Sequence, residues 1–244
     1  MPKVRIKRTS TVSVPKREHG TSVLSALRQV RELIVHGKLS PGTWIVEGEL
    51  AKRLNLSRTP TRAALQWLQQ EGYILEQRTA TKARMIVSPL TKEDANELYS
   101  VIGRLEGLAG RITAALPKAE RMVVVNQLKS LNQQLTDVKG DPSKQGAIFD
   151  VDRDFHRLVV GSGAGPRLRS WHKTIEPQVE RYWRLYASSI MSDLQFSINE
   201  HNDIIRALTA GDADKVERCL QVNWENGCER LGRVIDVFGE RGSW

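Results

Sequence analysis

The fold of the N-terminal part of this 244-residue chain is decided by the stretch LSRTPTRAALQWLQQEG, residues 56–72. Its apolar residues recur on one helix face, and Gly72 is a natural helix end. The apolar residues on this face are Ala64, Leu65 and Leu68. Ser57 suits the N-cap position, and Pro60 is tolerated in a first helical turn. We therefore expect a helix over 58–70 that presents a polar first turn.

The segments before and after this helix are also predicted to form helices and strands. Apolar spacing predicts a helix over 22–36 that ends at Gly37, and a short helix over 47–54. After the helix at 58–70, residues 73–77 and 83–88 have the pattern of two short strands. Three helices followed by a β-hairpin are the order of a winged helix-turn-helix.

Positive charge is concentrated in the first third of the chain. Residues 1–90 contain sixteen Lys or Arg and six Glu, a net charge of +10, whereas residues 91–244 carry −1. This asymmetry indicates a polyanion-binding module joined to a nearly neutral one. Residues 1–20 lack apolar periodicity and are expected to form a flexible basic arm, so a solvated tail of no consequence is the alternative reading of the charge.

The rest of the chain is predicted to be helical. Proline at position 89 disfavours helix in the residue before it, so we place a linker over 89–93. The predicted helices are 92–115, 118–139, 144–161, 165–188, 192–210 and 212–237. The fold class is therefore mainly α: a winged helix-turn-helix over 21–88, followed by an all-α bundle of six or seven helices over 94–237.

The helix at 58–70 has the features of a DNA-reading element. In a helix-turn-helix the second helix of the pair presents its N-terminal side chains to base edges in the major groove. Arg58 and Arg62 are four residues apart and share a face, and Thr59 lies between them. Arginine and threonine supply both base-edge and phosphate contacts. An ordinary helix with a solvated basic face is the alternative.

These residues closely resemble the GntR family of bacterial transcription regulators over 22–88. The motif comprises Glu49-Leu50-Ala51, Leu56-Ser57-Arg58-Thr59-Pro60-x-Arg62-x-Ala64-Leu65 and Leu68-x-x-Glu71-Gly72. The resemblance implies that Arg58, Thr59 and Arg62 contact operator DNA, with Ser57 at the helix start. It also places Arg78 and Thr79 at the wing, where Lys82 would hold phosphate. The wing tip lacks the glycine that is usual in the family.

A metal site is suggested in the helical part. Asp152 and His156 are four residues apart, so they lie one turn apart on one helix face, a spacing that can chelate a metal ion. His201 belongs to another predicted helix. A lone histidine is more often structural or exposed than a ligand, and spacing alone leaves that reading open.

The same region is similar to the FCD ligand-binding domain of FadR-type GntR regulators. The resemblance implies a divalent metal ion, zinc, nickel or manganese, held by Asp152, His156 and His201. Asn223 stands at the fourth position, where metal-binding members have histidine, and would be a weak or water-replaced ligand. Arg104 could pair with an effector carboxylate; its alternatives are a surface arginine or a salt bridge.

Together these features predict a DNA-binding transcription regulator, a repressor and homodimer, that binds an inverted repeat of double-stranded DNA and responds to a small organic acid. A metal-dependent hydrolase and a nonspecific architectural DNA-binding protein are the alternatives. Neither an apolar membrane span nor a secretory signal is evident. The two cysteines, Cys219 and Cys228, are nine residues apart with no C-x-x-C partner and suit a reducing compartment. A bacterial cytoplasmic location is therefore expected.

Overall fold

The computed structural model describes residues 19–78, 83–139, 141, 144–190 and 193–242. Within these residues the chain forms nine helices and three strands, which confirms the mainly α class. In chain order the elements are α1 (His19–Val35), β1 (Trp44–Ile45), α2 (Glu47–Arg53), α3 (Arg58–Gln70), β2 (Ile74–Arg78), β3 (Ala83–Val87), α4 (Lys92–Ala114), α5 (Lys118–Val138), α6 (Gln145–Gly163), α7 (Pro166–Ile190), α8 (Leu194–Ala210) and α9 (Ala213–Phe238).

The N-terminal unit packs α1 to α3 against a small sheet. Its apolar core combines Val30 of α1, Leu50 of α2 and Leu68 of α3 with residues of the sheet. The sheet is antiparallel with the order β1-β3-β2, and Glu76 pairs with Met85 in the predicted hairpin. Strand β1 is an addition to the prediction, because a two-residue strand is too short to show periodicity in sequence.

The second unit is an all-α bundle of six described helices, and α4 lies at its centre. Helix α4 packs along α9 at close range because glycines face the partner helix. A Cβ atom at Gly103 would lie 3.1 Å from Cβ of Trp224, and one at Gly107 would lie 3.2 Å from the carbonyl oxygen of Glu217. This close packing fixes the position of the residues that α4 presents to the bundle interior.

The two units meet at α7 and at the segment between β3 and α4. The Arg181 guanidinium donates to the Ser88 carbonyl at 2.6 Å. The Tyr182 hydroxyl accepts from the Thr91 amide at 3.1 Å and donates to the Asp94 carboxylate at 2.6 Å. Leu90 also exchanges two backbone hydrogen bonds with Arg241, of 2.8 and 3.0 Å. Helix α7 therefore holds the chain directly after the hairpin.

A search of the described helices for one long and apolar enough to cross a membrane finds none.

The contact between α6 and α4 predicts that alanine substitutions at two glycines of α6 have very different effects on stability. A Cβ atom at Gly163 would lie 2.6 Å from the backbone nitrogen of Thr113 and would also meet the Ala109 carbonyl, whereas one at Gly161 would meet nothing within 4 Å. We expect Gly163→Ala to destabilise the protein by about 1–3 kcal/mol, because backbone cannot move aside cheaply. Gly161→Ala should be neutral or stabilising by up to about 1 kcal/mol. Urea unfolding measures both, and equal stabilities would contradict the close approach.

Candidate functional site

The three residues of the suggested metal site come together inside the bundle. Asp152 and His156 lie on α6 and His201 on α8, and all three are buried. One ligand atom from each lies within 4.8 Å of the others. The His201 Nε2 atom is 3.5 Å from one oxygen of Asp152, and the His156 Nε2 atom is 3.9 Å from the other.

His201 is held so that one ring nitrogen faces Asp152. Its Nδ1 atom is 3.2 Å from the side-chain oxygen of Asn132. The Asn132 amide group donates to the Ile198 carbonyl at 3.1 Å, which leaves its oxygen as the acceptor for His201. Burial lowers the pKa of His201 well below its ordinary value, so the ring is neutral. Its Nε2 atom, buried and without a hydrogen-bond partner, therefore carries a free lone pair.

His156 is oriented by a buried carboxylate of α4. Glu106 accepts hydrogen bonds from His156 Nδ1 at 2.6 Å, His172 Nε2 at 2.8 Å and Trp224 Nε1 at 2.7 Å. Burial alone would raise the pKa of Glu106, but His156 and His172 lower it to about 2. Burial lowers the pKa of His156, yet Glu106 outweighs it and raises that pKa to about 9. The hydrogen bond to Glu106 turns the His156 Nε2 atom towards Asp152. A metal ion at Nε2 would displace the proton that the raised pKa keeps on this ring.

Asp152 completes a donor set that fits a divalent cation. Burial raises the pKa of Asp152 to about 6, against the lowering effect of His156, and one of its oxygens has no hydrogen-bond partner. Ligands at about 2.0–2.2 Å from one zinc ion lie about 3–4 Å apart, as the facing atoms do here. Hydrogen bonds to the outer nitrogen of a ligating histidine are also typical of metal sites.

Asn223, the predicted fourth group, lines the same cavity as Asp152 and His156. Its amide nitrogen donates to Glu200 at 2.7 Å. Glu200 is also paired with Arg230, whose guanidinium donates to its two oxygens at 2.8 and 3.0 Å. This pairing of Glu200 fixes the Asn223 side chain by its nitrogen and leaves the amide oxygen available for other contacts.

The cavity beside these residues has a volume of about 60 Å³. Two stacked indoles form one wall: the rings of Trp183 and Trp224 are 5.8 Å apart and inclined by 21°. Arg104 is not part of the lining. It projects from α4 with 65% of its side chain exposed, 3.9 Å from Glu225, which agrees with the surface alternative. The arginine that the structure brings to the cavity is Arg230.

The predicted DNA-reading residues lie together on the surface of α3. Ser57, Arg58, Thr59 and Arg62 are all exposed. Ser57 occupies the N-cap position, but its side chain makes no capping hydrogen bond, and its carbonyl accepts from the Thr61 hydroxyl at 2.9 Å. The Arg62 guanidinium makes a bidentate pair with Glu47 of α2 at 2.7 and 3.0 Å. This pair holds Arg62 on the exposed face.

The wing is described only at its base. Arg78 ends β2, with 86% of its side chain exposed, 3.2 Å from Glu76. The guanidinium of Arg84 lies 3.7 Å above the Trp44 ring of β1, a cation–π contact. Thr79 and Lys82 fall outside the described residues. The place of Thr79 at the wing and the phosphate contact of Lys82 remain predictions.

Comparison with known proteins agrees with this arrangement. Residues 24–81 match "Bacterial regulatory proteins, gntR family", and residues 97–226 match the FCD domain. The chain belongs to the GntR family, with an FCD domain.

Three similar proteins illustrate the likeness. A Paenarthrobacter nicotinovorans protein, "Probable D-xylose utilization operon transcriptional repressor", is 30% identical over 84% of this chain and 87% of its own length. A gluconate operon transcriptional repressor of Bacillus licheniformis is 24% identical over 86% of this chain and 84% of its own. The solved structure of McbR/YncC from E. coli shares the fold: TM-score 0.67, 20% identity, covering 87% of this chain and 97% of that one.

Membership of the GntR family establishes the class of activity. The chain is a DNA-binding transcription regulator and not an enzyme. The hydrolase alternative is therefore wrong, although a water-activating metal site was a reasonable hypothesis from Asp152 and His156 alone.

Sequence reasoning missed several residues that shape this centre. They are Glu106, His172, Glu200 and Arg230. Glu106 had a detectable signal, because it continues the buried face of α4 formed by Ile102, Ala109 and Thr113. An acid on an otherwise apolar face needs buried partners. The partners of Glu106 lie on α6, α7 and α9, and sequence spacing does not show that these helices pack together.

Proposed function

We propose that this GntR-family regulator is a cytoplasmic repressor that binds an inverted-repeat operator as a homodimer and is controlled by a small carboxylic acid. The observation that carries the effector part is the buried set of Asp152, His156 and His201 beside a cavity. Two of their ligand atoms have no hydrogen-bond partner. Relatives named as repressors of sugar and sugar-acid operons support the direction of control.

In this proposal a divalent ion is held by Asp152, His156 and His201, with the Asn223 oxygen as a weak fourth ligand. When bound, the ion would supply positive charge and open coordination positions for an effector carboxylate. Glu106 and Asn132 keep the two histidines oriented, and the rings of Trp183 and Trp224 exclude water from one side. Zinc, nickel and manganese all suit this set of nitrogen and oxygen donors.

Helix α7 is the proposed link between the cavity and the DNA-binding unit. Trp183 lines the cavity, and His172 donates to Glu106. On the same helix, Arg181 holds the Ser88 carbonyl and its guanidinium lies 6.0 Å from the Tyr73 ring centre. A ligand that shifts Trp183 therefore acts on the helix that also holds the base of the wing. Coupling requires that the ligand bind the two arrangements with different affinity.

The DNA-reading role of α3 predicts a large effect at Arg58. We expect Arg58→Ala to cost about 1–3 kcal/mol of operator binding, the range for a good base contact, and to relax sequence preference. The matched control is Arg28→Ala, which removes the same charge from an exposed position on α1. Binding isotherms on operator and scrambled DNA measure both variants. Unchanged operator affinity in Arg58→Ala would place the reading helix elsewhere.

Dimer formation is supported by an exposed apolar stripe on α4. Val101, Leu108 and Ile112 share one helix face, with exposures of 45%, 46% and 41%. A single recognition helix reads only a few base pairs, and a two-fold protein matches an inverted repeat. We propose that these stripes of two copies pack together.

A charge placed in the stripe tests this dimer. Leu108→Asp should shift sedimentation from dimer to monomer and weaken operator binding by at least about tenfold, because a buried unpaired carboxylate opposes association. Val123→Asp is the control, since Val123 is an exposed apolar residue of α5, outside the stripe. A dimeric Leu108→Asp protein would exclude α4 as the interface.

The Asn223 ligand position predicts a gain of metal affinity. Asn223→His should tighten zinc by at least about tenfold, because imidazole nitrogen is a better zinc ligand than an amide oxygen. Asn226→His is the control: Asn226 also donates to Glu200, at 2.8 Å, but does not line the cavity. Elemental analysis and calorimetry measure the ion. If neither variant nor wild type retains zinc, nickel or manganese, the site is not a metal site.

A further inference from the structure

The residues of the cavity wall indicate the chemical class of the effector. This inference rests on the effector site proposed above. Most of the described wall is carbon: the side chains of Ile148, Phe149 and Leu194, and the rings of Tyr99, Trp183 and Trp224. The Tyr99 and Trp224 rings meet edge to face at 5.4 Å, which closes the wall between the helices α4 and α9.

The polar groups of the same wall are mostly engaged already. The Trp224 indole N–H is donated to Glu106, and Asn223 and Arg230 are held by Glu200. The Ser197 hydroxyl accepts from Arg230 at 3.3 Å. The unpartnered oxygen of Asp152 faces the metal-binding set. At the carbon wall, the Tyr99 hydroxyl lies near the Trp183 side chain and is buried without a well-formed hydrogen bond to the described atoms.

The size of the cavity sets a second limit. The enclosed volume of about 60 Å³ is small, so the cavity favours a compact ligand. A sugar acid is larger and carries a hydroxyl on nearly every carbon. Most of those hydroxyls would lose their water against aromatic and aliphatic carbon without a replacement partner, which weakens binding.

We infer that the effector is a short monocarboxylic acid with an apolar body, and not a polyhydroxylated sugar acid. Its carboxylate lies at the end formed by Asp152, His156 and Asn223, and its hydrocarbon part lies against Trp183, Trp224 and Leu194. This separates the chain from relatives whose names refer to gluconate and xylose operons.

The test compares two acids of equal size on the full-length protein loaded with zinc. Butyrate and 3-hydroxypropionate have the same number of heavy atoms, and a hydroxyl of the second replaces a methyl of the first. Calorimetry and tryptophan fluorescence should show butyrate binding about tenfold more tightly than 3-hydroxypropionate, with gluconate weaker than both. Tyr99→Phe should keep or widen the preference for butyrate, because it removes a polar group from the carbon wall.

A pair of variants tests whether the carbon wall of the cavity causes the preference for butyrate. Leu194→Asn should bring the two affinities close together, since an amide then offers the hydroxyl a partner. Phe196→Asn is the control, because Phe196 lies on the same helix with 59% of its surface exposed. Gluconate or 3-hydroxypropionate binding as tightly as butyrate to wild type would overturn the inference and leave the effector site standing. Absence of binding by all three acids would overturn both.

Discussion

The arrangement of the helical unit depends on one buried carboxylate, that of Glu106. It is 1% exposed and accepts hydrogen bonds from His156 on α6, His172 on α7 and Trp224 on α9. An unpaired carboxylate at this depth would be strongly destabilising, so three donors from three helices must meet at one point of α4. That requirement fixes the relative position of four helices more narrowly than apolar packing does, because hydrogen bonds are directional.

The hydrogen bonds to Glu106 position the proposed metal site, the cavity and helix α7. His156 presents its second nitrogen to Asp152 and His201, Trp224 forms a wall of the cavity, and α7 continues from His172 to Arg181 at the base of the wing. A ligand in the cavity would therefore touch Trp183 of α7, the helix whose Arg181 donates to the Ser88 carbonyl after the hairpin. Coupling between two sites needs a shared element with two arrangements, and α7 contacts both regions.

Much of the fold was predictable from sequence because its signals are local. Helical periodicity and the breaks at Gly72 and Gly211 located the described helices to within a few residues, and the i,i+4 spacing identified Asp152 and His156. The two-residue strand β1 lacked such a signal. Arg104 lies on the exposed face of α4, whereas Glu106, two residues further, points inward, and the effector contact of Arg104 stays a prediction. The partners of Glu106 and the pairing of Asn223 with Glu200 depend on contacts between helices distant in sequence, which periodicity does not encode.

Thermal unfolding of the full-length protein with zinc and with chelator tests directly whether Glu106 orders a metal site. An ion that binds only the folded state raises the Tm, and the rise depends on affinity. We expect a clear zinc-dependent rise in wild type and a much smaller one in Glu106→Gln, where His156 loses the carboxylate that orients it. Glu97→Gln, at an exposed position of the same helix, should show an undiminished rise. A wild-type Tm that is unaffected by zinc, nickel and manganese would exclude the metal site, and equal rises in wild type and Glu106→Gln would exclude a role for Glu106 in it.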